Sequence, residues 1–501
     1  MNDLLNYVGF DFEKLKSLFF YNHSEPMLFN SGLFMFLFFC FLIVYTALRK
    51  RFTARLLFVI LFSYFFYYKS SGLYFLLLAI VTVCDFFLAK LIANAKTNFL
   101  RKTLVTISIC IGLGILAYFK YFNFFGTTIA SIIGGNFQPE DIFLPVGISF
   151  FTFQSLSYTI DVYRGNIKPL DTILDYAFFV SFFPQLVAGP IVRARDFIPQ
   201  VRQPLTVTNE MISAGIYLII CGLFKKAIIS DYIGINFVDR IFDNPSLYSG
   251  IENLFGIYGY GLQIYCDFSG YSDMAIAIAL LLGFRFRINF DSPYQSVNIT
   301  EFWRRWHISL SSWLRDYLYI SLGGNRKGKV RTYINLIITM LLGGLWHGAN
   351  WNFIIWGGLH GIGLAVHKYF MAVTHQSKNA ISNPRTFRHW FNVFITFHFV
   401  MFAWIFFRNP SLGNCSIILS QIFGNMQFHI IWQVLTGYKL VFLLIFAGYL
   451  LHFLPLKIEN YCKEKFFNLP LFFKAVAMVV LIYFIVQIKS SDVQPFIYFQ
   501  F

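Results

Sequence analysis

Charged residues are scarce in this sequence. Of its 501 residues only 13% are charged, whereas 57% are hydrophobic and 65 are phenylalanine, so the chain carries far more apolar surface than a soluble core can bury. The sequence also lacks a hydrophilic stretch long enough for an independent soluble domain, and it lacks internal repeats and low-complexity linkers. We therefore predict a polytopic membrane protein in which residues 1–501 form a single transmembrane domain.

Several familiar signatures are missing as well. The seven cysteines are scattered and none belongs to a CxxC pair, so neither a disulfide framework nor a metal site is predicted. No HExxH or GxSxG motif occurs, and the N-terminus lacks the basic region and the cleavage site of a signal peptide. The net charge of +16 comes from short loops between apolar runs, as the positive-inside rule requires, and gives no reason to expect nucleic acid.

The basic loops predict how the chain is oriented. Residues 27–48 are apolar and lead directly into a basic cluster, so this span should end in the cytoplasm and the N-terminus should lie outside. Residues 475–488 lead outward from another basic loop, so the C-terminus should also lie outside. At ~20 residues for each crossing, the apolar runs predict about eleven transmembrane helices.

Proline and glycine interrupt two apolar runs in the middle of the chain, residues 144–165 and 181–197. These interruptions predict broken or re-entrant helices. Non-helical backbone at membrane depth is tolerated only where protein or a water-filled cavity satisfies its polar groups. An internal cavity is therefore expected.

One histidine lies between two runs that otherwise resemble the interior of a membrane, in LLGGLWHGANWNF. Basic residues on both sides of these runs predict a hairpin with His347 near its turn. Residues 332–346 would form roughly 22 Å of helix in a hydrocarbon layer of about 30 Å, so His347 should lie deep in the bilayer or towards its outer half. An ionisable group there is a functional-site hypothesis by default, and the alternative is a neutral histidine that hydrogen-bonds between helices.

A second polar concentration, residues 289–319, interleaves tryptophan with arginine. The pattern favours an amphipathic helix in the cytoplasmic interface. His307 lies on it, and an interfacial role and a functional role are equally open. The interleaved residues are Trp303, Arg304, Arg305, Trp306, Trp313 and Arg315.

Six stretches resemble, in order, the membrane-bound O-acyltransferase (MBOAT) superfamily. They are LPVGISFFTFQSLSYTIDVYRG, FFPQLVAGPIVR, QIYCDFSGYSDMAIAIALLLGF, FWRRWHISLSSWLRDYLYISLGGNR, GGLWHGANWNFIIWGGLHG and FIYFQF. The resemblance covers almost the whole chain and is to the bacterial AlgI/DltB-like branch, with SLGGNR and FIYFQF more similar to its alginate-type members. It implies an all-α polytopic membrane protein, a ring of about eleven transmembrane helices with re-entrant and interfacial helices around a central pore.

The resemblance also implies roles for particular residues. The superfamily's catalytic histidine corresponds to His347, and a second polar position, His or Asn elsewhere, corresponds to His307. O-acyl transfer needs a base for the attacking hydroxyl and a group that polarises the carbonyl. His347 is therefore expected to be the base, with His307, Asn350 or Trp346 as orienting or polarising donors. Candidates for binding the phosphates of the donor are Arg304, Arg305, Arg315, Arg326, Lys327 and Lys329, for which the positive-inside rule is an equally good explanation.

The implied function is acetyl transfer at a bacterial inner membrane, from a cytoplasmic thioester towards an alginate-like exopolysaccharide. Acetyl-CoA or an acyl carrier protein would supply the thioester, a periplasmic acetyltransferase-like protein would be the partner, and membrane lipid would surround the protein. No bound cofactor and no metal are expected. D-alanyl transfer to teichoic acid and non-catalytic transport of polysaccharide or lipid stay open, and a transporter should tolerate loss of His347.

Overall fold

The computed structural model describes residues 18–22, 26–187, 189–375 and 386–488. Within these ranges every regular element is a helix, which confirms the all-α prediction. The α-helices are α1 (Gly32–Ala47), α2 (Phe52–Ser71), α3 (Phe75–Asn94), α4 (Asn98–Leu116), α5 (Phe122–Ile133), α6 (Ile148–Tyr163), α7 (Ile173–Ser181), α8 (Phe183–Leu186), α9 (Ala194–Val201), α10 (Asn209–Leu223), α11 (Asp231–Ile233), α12 (Asp239–Asp243), α13 (Gly250–Leu281), α14 (Ile299–Arg305), α15 (Ile308–Trp313), α16 (Lys329–His347), α17 (Trp351–Val373), α18 (Phe387–Arg408), α19 (Leu412–Gly424), α20 (Ile431–Gly437), α21 (Lys439–His452), α22 (Leu456–Phe467) and α23 (Leu471–Ile488).

Short π-helical and 3-10 segments join or extend these helices. The π-helical segments are Ala117–Tyr121, Phe224–Ser230, Gly234–Val238 and Leu314–Tyr319. The 3-10 turns are Gly72–Tyr74, Pro245–Leu247, Pro293–Gln295 and Phe428–Ile430.

Long apolar helices confirm a multi-pass membrane protein. In the described part of the chain five helical stretches are long and apolar enough to cross a membrane, and two pairs bent by 94° and 114° raise the number to seven. The predicted number of about eleven crossings stays a prediction. Residues 52–94, for example, form one 43-residue stretch that is interrupted at Gly72–Tyr74. The five stretches are Phe52–Asn94, Asn98–Ile133, Asn209–Asp243, Gly250–Leu281 and Phe387–Arg408.

The chain divides into two compact units. One comprises the residues up to Asn123 together with Asn136–Val207 and Leu282–Arg285. The other comprises Phe124–Gly135, Thr208–Leu281 and the residues from Phe286 onward. Both histidines predicted to act in catalysis belong to the second unit, and the single-domain prediction stays a prediction.

The predicted break in residues 181–197 is confirmed in the first unit. Helix α7 ends at Ser181, α8 has only four residues, and the described residues between α8 and α9 are not helical. Phe183 of α8 packs against the rings of Phe41 and Phe62, with centroids 5.5 and 5.0 Å away. This irregular backbone is therefore buried in protein rather than exposed to lipid, as the physics of the bilayer requires.

Residues 144–165 are broken only at their start. Gly147 has φ 73, a conformation that glycine adopts without steric cost, and a Cβ at this position would collide with the carbonyl oxygen of Leu186. From Ile148 the backbone continues as the regular helix α6, and nearly all of its side chains are buried. The prediction of a broken helix is thus correct for the entry into α6 and wrong for its body.

Helix α13 is the long central helix of the second unit, and it carries buried charge. Lys226, which is 2% exposed, forms ion pairs with Asp267 of α13 and with Asp231, the latter at 2.8 Å. A neighbouring pair joins Lys225 to Asp273 at 2.7 Å. An isolated charge is costly in an apolar interior. The positive charges of the two lysines are therefore neutralised by the nearby aspartates.

Helices α16 and α17 form the predicted hairpin. His347 is the last residue of α16, and α17 begins at Trp351. The two helices approach closely because glycines face each other: a Cβ on Gly344 would collide with the carbonyl oxygen of Phe353, and one on Gly357 with that of Met340. The hairpin turn near His347 is therefore confirmed, whereas its depth in a bilayer stays a prediction.

The single amphipathic helix predicted within residues 289–319 is wrong. The segment forms two short helices, α14 and α15, followed by a π-helical segment, and the break falls at Trp306 and His307. Trp303, Trp306 and Trp313 are all buried in the protein, at 8%, 1% and 7% exposure. Their alternation with arginine thus reflects burial of the rings in the interior of the second unit.

Candidate active site

His347 lies in an aromatic enclosure at the end of α16. Its ring is 4.9 Å from Trp346, 5.1 Å from Trp356 and 5.2 Å from Phe407, measured between ring centroids. The side chain is only 3% exposed. Such surroundings exclude bulk water and strengthen any electrostatic interaction that the imidazole makes with a reacting group.

His307 has an unusual backbone conformation. It separates α14 from α15 with φ 42 and ψ 57, in the left-handed region that residues other than glycine seldom adopt. Histidine and asparagine are among the few residues enriched there. Strained positions of this kind cluster at functional sites, where the surrounding structure holds them in place.

The hydrogen bonds of Asn289 determine which nitrogen of His307 carries the proton. Oδ1 of Asn289 lies 3.2 Å from Nδ1 of His307 and also accepts the backbone N–H of Ser309 at 3.1 Å. Because a backbone N–H can only donate, this atom of the amide is the oxygen, and Nδ1 of His307 must donate to it. In the neutral ring Nε2 then holds a lone pair, and no described residue forms a hydrogen bond with it.

Burial keeps this imidazole uncharged. His307 is completely inaccessible to solvent, and burial lowers its pKa from the usual value to about 3. The ring is therefore neutral across the physiological pH range, and Nε2 can accept a proton or a hydrogen bond.

The ring of Trp346 lies close to both histidines. Its ring centroid is 4.9 Å from that of His347 and 6.2 Å from that of His307. The rings of Phe268 and Phe290 complete the surroundings of His307, at 4.5 and 6.4 Å. The structure thus brings His307 next to Trp346, the neighbour of His347 at the end of α16, although about 40 residues of sequence separate His307 from this pair.

Known proteins resemble this chain over most of its length. The probable alginate O-acetylase AlgI of Pseudomonas aeruginosa is 40% identical over 90% of this chain and 84% of its own. The AlgI protein of Pseudomonas putida is 37% identical over 95% and 100%, and the peptidoglycan O-acetyltransferase of Helicobacter pylori is 38% identical over 79% and 80%. The model of the MBOAT, membrane-bound O-acyltransferase, family matches residues 163–409.

The chain belongs to the membrane-bound O-acyltransferase family. The resemblance inferred from the six sequence stretches is therefore confirmed, and so is the prediction of an O-acyltransferase. The residues matched by the family model include both His307 and His347.

Asn350, the remaining polar residue of the predicted MBOAT site, forms hydrogen bonds within the protein. Oδ1 of Asn350 accepts the N–H of Asn352 at the start of α17, at 2.9 Å, and Nδ2 donates to the carbonyl of Pro410, also at 2.9 Å. Both ends of this amide are thus engaged in fixing the hairpin turn. A direct contact of Asn350 with substrate stays a prediction.

Two of the predicted arginines pair with acids. Arg305 pairs with Glu301 at 2.8 Å, and Arg315 pairs with Asp316 at 2.7 Å. Arg304 is exposed. Their roles in donor binding stay predictions, as do those of the exposed residues Arg326, Lys327 and Lys329. In the described ranges no cluster of three or more His, Cys, Asp or Glu residues is placed to hold a metal ion.

Sequence reasoning missed Asn289, Trp356, Phe268 and Phe407. None of them stands out in sequence, because apolar aromatics are abundant and asparagines in loops are common. Only the packing of α13, α16, α17 and α18 brings these residues to the histidines.

Proposed function

We propose that this O-acyltransferase transfers acetyl groups from a cytoplasmic thioester to hydroxyls of an alginate-like exopolysaccharide. The observation that carries the proposal is the pair of buried imidazoles that both lie close to the ring of Trp346, with the neutral imidazole of His307 keeping the lone pair of Nε2 for substrate. The long similarity to alginate and peptidoglycan O-acetylating proteins supports acetate as the group transferred and a polysaccharide hydroxyl as its acceptor.

The reaction needs a proton acceptor that is neutral before attack. His347 takes the proton of the acceptor hydroxyl while the hydroxyl oxygen forms a bond to the thioester carbonyl carbon. The tetrahedral intermediate then breaks its carbon–sulfur bond, and the thiolate leaves with the proton from the His347 imidazolium. The products are an O-acetyl ester and a free thiol, so atoms and charge balance.

His307 acts as an acceptor rather than as a donor. The sequence favoured a donor role, but Nδ1–H is already bonded to Asn289, and Nε2 of the neutral ring has no hydrogen to give. We assign Nε2 to orienting the attacking hydroxyl by accepting a hydrogen bond from it or from an adjacent hydroxyl of the sugar. Trp346, whose indole N–H can only donate, is the polarising candidate next to both rings.

Location and partners follow from the same proposal. Acetyl-CoA or an acyl carrier protein supplies the thioester from the cytoplasm, the protein lies in a bacterial inner membrane, and both termini face the periplasm. A periplasmic acetyltransferase-like protein is the partner on the acceptor side of the membrane. Exposed basic residues near α14 and α16 suit the phosphates of such a donor.

The test compares two histidine variants. His347→Ala is expected to reduce polymer-bound acetate per unit of folded membrane protein by ~10²-fold or more, the usual contribution of a general base. His307→Asn should be milder, because an asparagine tolerates the left-handed backbone and its side-chain oxygen can still accept a hydrogen bond.

A buried histidine outside the enclosure provides the matched control. His452 is 5% exposed, and its Nε2 accepts the backbone N–H of Tyr294 at 3.1 Å. His452→Ala should lower detergent stability without comparable loss of transfer per folded molecule. If His347→Ala keeps near-normal acetylation while His307→Asn abolishes it, the two roles are reversed. If both variants keep it, the chemistry lies elsewhere and transport becomes the better explanation.

A further inference from the structure

We propose that Asn289 is a positioning residue for acyl transfer: it holds His307 as the Nδ1–H tautomer, so that Nε2 is the acceptor offered to substrate. This inference rests on the proposed function, because it assigns a cause to the acceptor role of His307. Asn289 is 1% exposed and precedes α14 in a loop that follows α13.

The amide of Asn289 is anchored at both ends. Its Nδ2 donates to Oγ of Ser272 on α13 at 3.2 Å, and its Oδ1 accepts from the backbone N–H and the hydroxyl of Ser309 at 3.1 and 2.9 Å. A rotation of the amide that exchanged nitrogen for oxygen would set the backbone N–H of Ser309, which can only donate, against an NH₂ group. The oxygen is therefore fixed towards His307.

The backbone around Asn289 reinforces this arrangement. Its carbonyl accepts the N–H of Ile308 at 2.9 Å, and the N–H of Asp291 donates to the carbonyl of Arg305 at 2.9 Å. These bonds join residues 289–291 to the turn that carries His307. These two backbone hydrogen bonds thus keep the amide oxygen of Asn289 next to the imidazole of His307.

The other tautomer would be disfavoured at this position. With hydrogen on Nε2, the lone pair of Nδ1 would face the oxygen of Asn289 at 3.2 Å, and the hydrogen on Nε2 would lack an acceptor among the described residues. Two opposed acceptors and a buried unsatisfied donor are both costly. Asparagine selects the tautomer without adding charge to the site.

The tautomer can be observed directly and without an activity assay. Nitrogen-15 spectra of histidine-labelled protein in lipid, compared with those of His307→Asn, isolate the two ring signals of His307. We expect a protonated Nδ1 and an unprotonated Nε2. The reverse assignment would overturn the inference, whereas a wild-type protein that transfers no acetate would instead contradict the proposed function.

Variants of Asn289 then test whether its choice of the His307 tautomer affects the rate of acetyl transfer. Asn289→Ala should lower the rate of polymer acetylation about 10-fold with little change in KM for the thioester, a smaller loss than removal of the general base itself causes. In a His307→Ala background the same change should have no further effect, because a residue that acts only through His307 cannot act when the imidazole is absent. Equal losses in both backgrounds would show a merely structural role.

A conservative variant adds a signature that a structural role would not produce. Asn289→Asp keeps an acceptor at Nδ1 but places a carboxylate beside the ring. The neighbours Phe268, Phe290, Ser309 and Trp346 are uncharged, and burial alone, with no charged group, lowers the pKa of His307. The carboxylate stabilises the imidazolium, so the acid limb of the rate profile should move to higher pH while activity at high pH is retained. An unchanged profile would contradict the proposal.

The control is another buried asparagine of the same unit. Asn253 is 1% exposed, and its Nδ2 donates to the carbonyls of Pro245 and Tyr248, both at 3.1 Å. Neither of these partners is a histidine. Asn253→Ala removes a comparable set of hydrogen bonds and should leave the pH profile and the His307 tautomer unchanged.

Discussion

At the scale of single residues, the left-handed backbone of His307 explains which side chains the position tolerates. With φ 42, most residues would suffer steric strain, whereas histidine and asparagine are comparatively well tolerated. Both also carry a polar atom that can accept a hydrogen bond. The alternation between His and Asn that the family resemblance implies at this position therefore satisfies a backbone requirement as well as a chemical one.

Burial of His307 should make the stability of the protein depend on pH. The unfolded histidine binds a proton below its ordinary pKa, whereas the folded one does not until about pH 3. The folded state therefore loses stability as pH falls from about 6.5, by at most about 1.4 kcal/mol for each pH unit. We expect the thermal midpoint of the wild type in detergent to fall more steeply between pH 6.5 and 4.5 than that of His307→Asn.

The same comparison contains its own control. Above pH 7 neither state protonates His307, so the difference between the two midpoints should be constant there. Other histidines titrate equally in both proteins and cancel. Parallel curves throughout the range would show that His307 is not buried as a neutral ring.

At the scale of elements, the hairpin of α16 and α17 depends on glycine at specific contacts. A Cβ on Gly357 would strike the carbonyl oxygen of Met340, whereas one on Gly358 would meet only Cδ2 of Leu341, at 3.4 Å. We expect Gly357→Ala to destabilise the protein by ~1–3 kcal/mol, as overpacking usually does, and to reduce acetylation because α16 carries His347. Thermal midpoints and polymer-bound acetate measure the two effects.

Gly358→Ala is the matched comparison, since it makes the same change one residue later in the same helix. Its alanine should be tolerated or slightly stabilising, because alanine favours helix more than glycine does. Similar losses in both variants would mean that helix packing at Gly357 is not the cause.

The elements also show how far sequence reasoning reaches. His347 could be predicted because a polar residue in a long apolar run is conspicuous, and basic flanks indicate a hairpin. The break at His307 could not, since a helical period in Trp and Arg continues across it and a left-handed residue leaves no periodic signal. Asn289 was equally hidden, because its bond to His307 joins residues that are 18 positions apart and exists only once α13, α14 and α15 have packed.

At the scale of the whole molecule, the predicted orientation can be tested with single cysteines on a background that lacks the native ones. Lys327 is exposed in the loop before α16, and Ser491 lies outside the described residues. We expect Ser491→Cys to react with an impermeant reagent in intact spheroplasts and Lys327→Cys to react only after lysis. The reverse pattern would contradict the periplasmic C-terminus and the cytoplasmic start of the hairpin.

The buried ion pairs of the second unit have a consequence for biosynthesis. Lys225 leaves the ribosome before Asp273, the acid of α13 that pairs with it, whereas Lys226 has Asp231 five residues later in addition to Asp267 of α13. Moving a lysine alone into the middle of a bilayer costs about 3 kcal/mol on the scale of cellular insertion machinery. Because the acid that pairs with Lys225 belongs to α13, we expect α10 and its π-helical extension to gain a stable membrane position only once α13 has been synthesised, so that the two segments insert together.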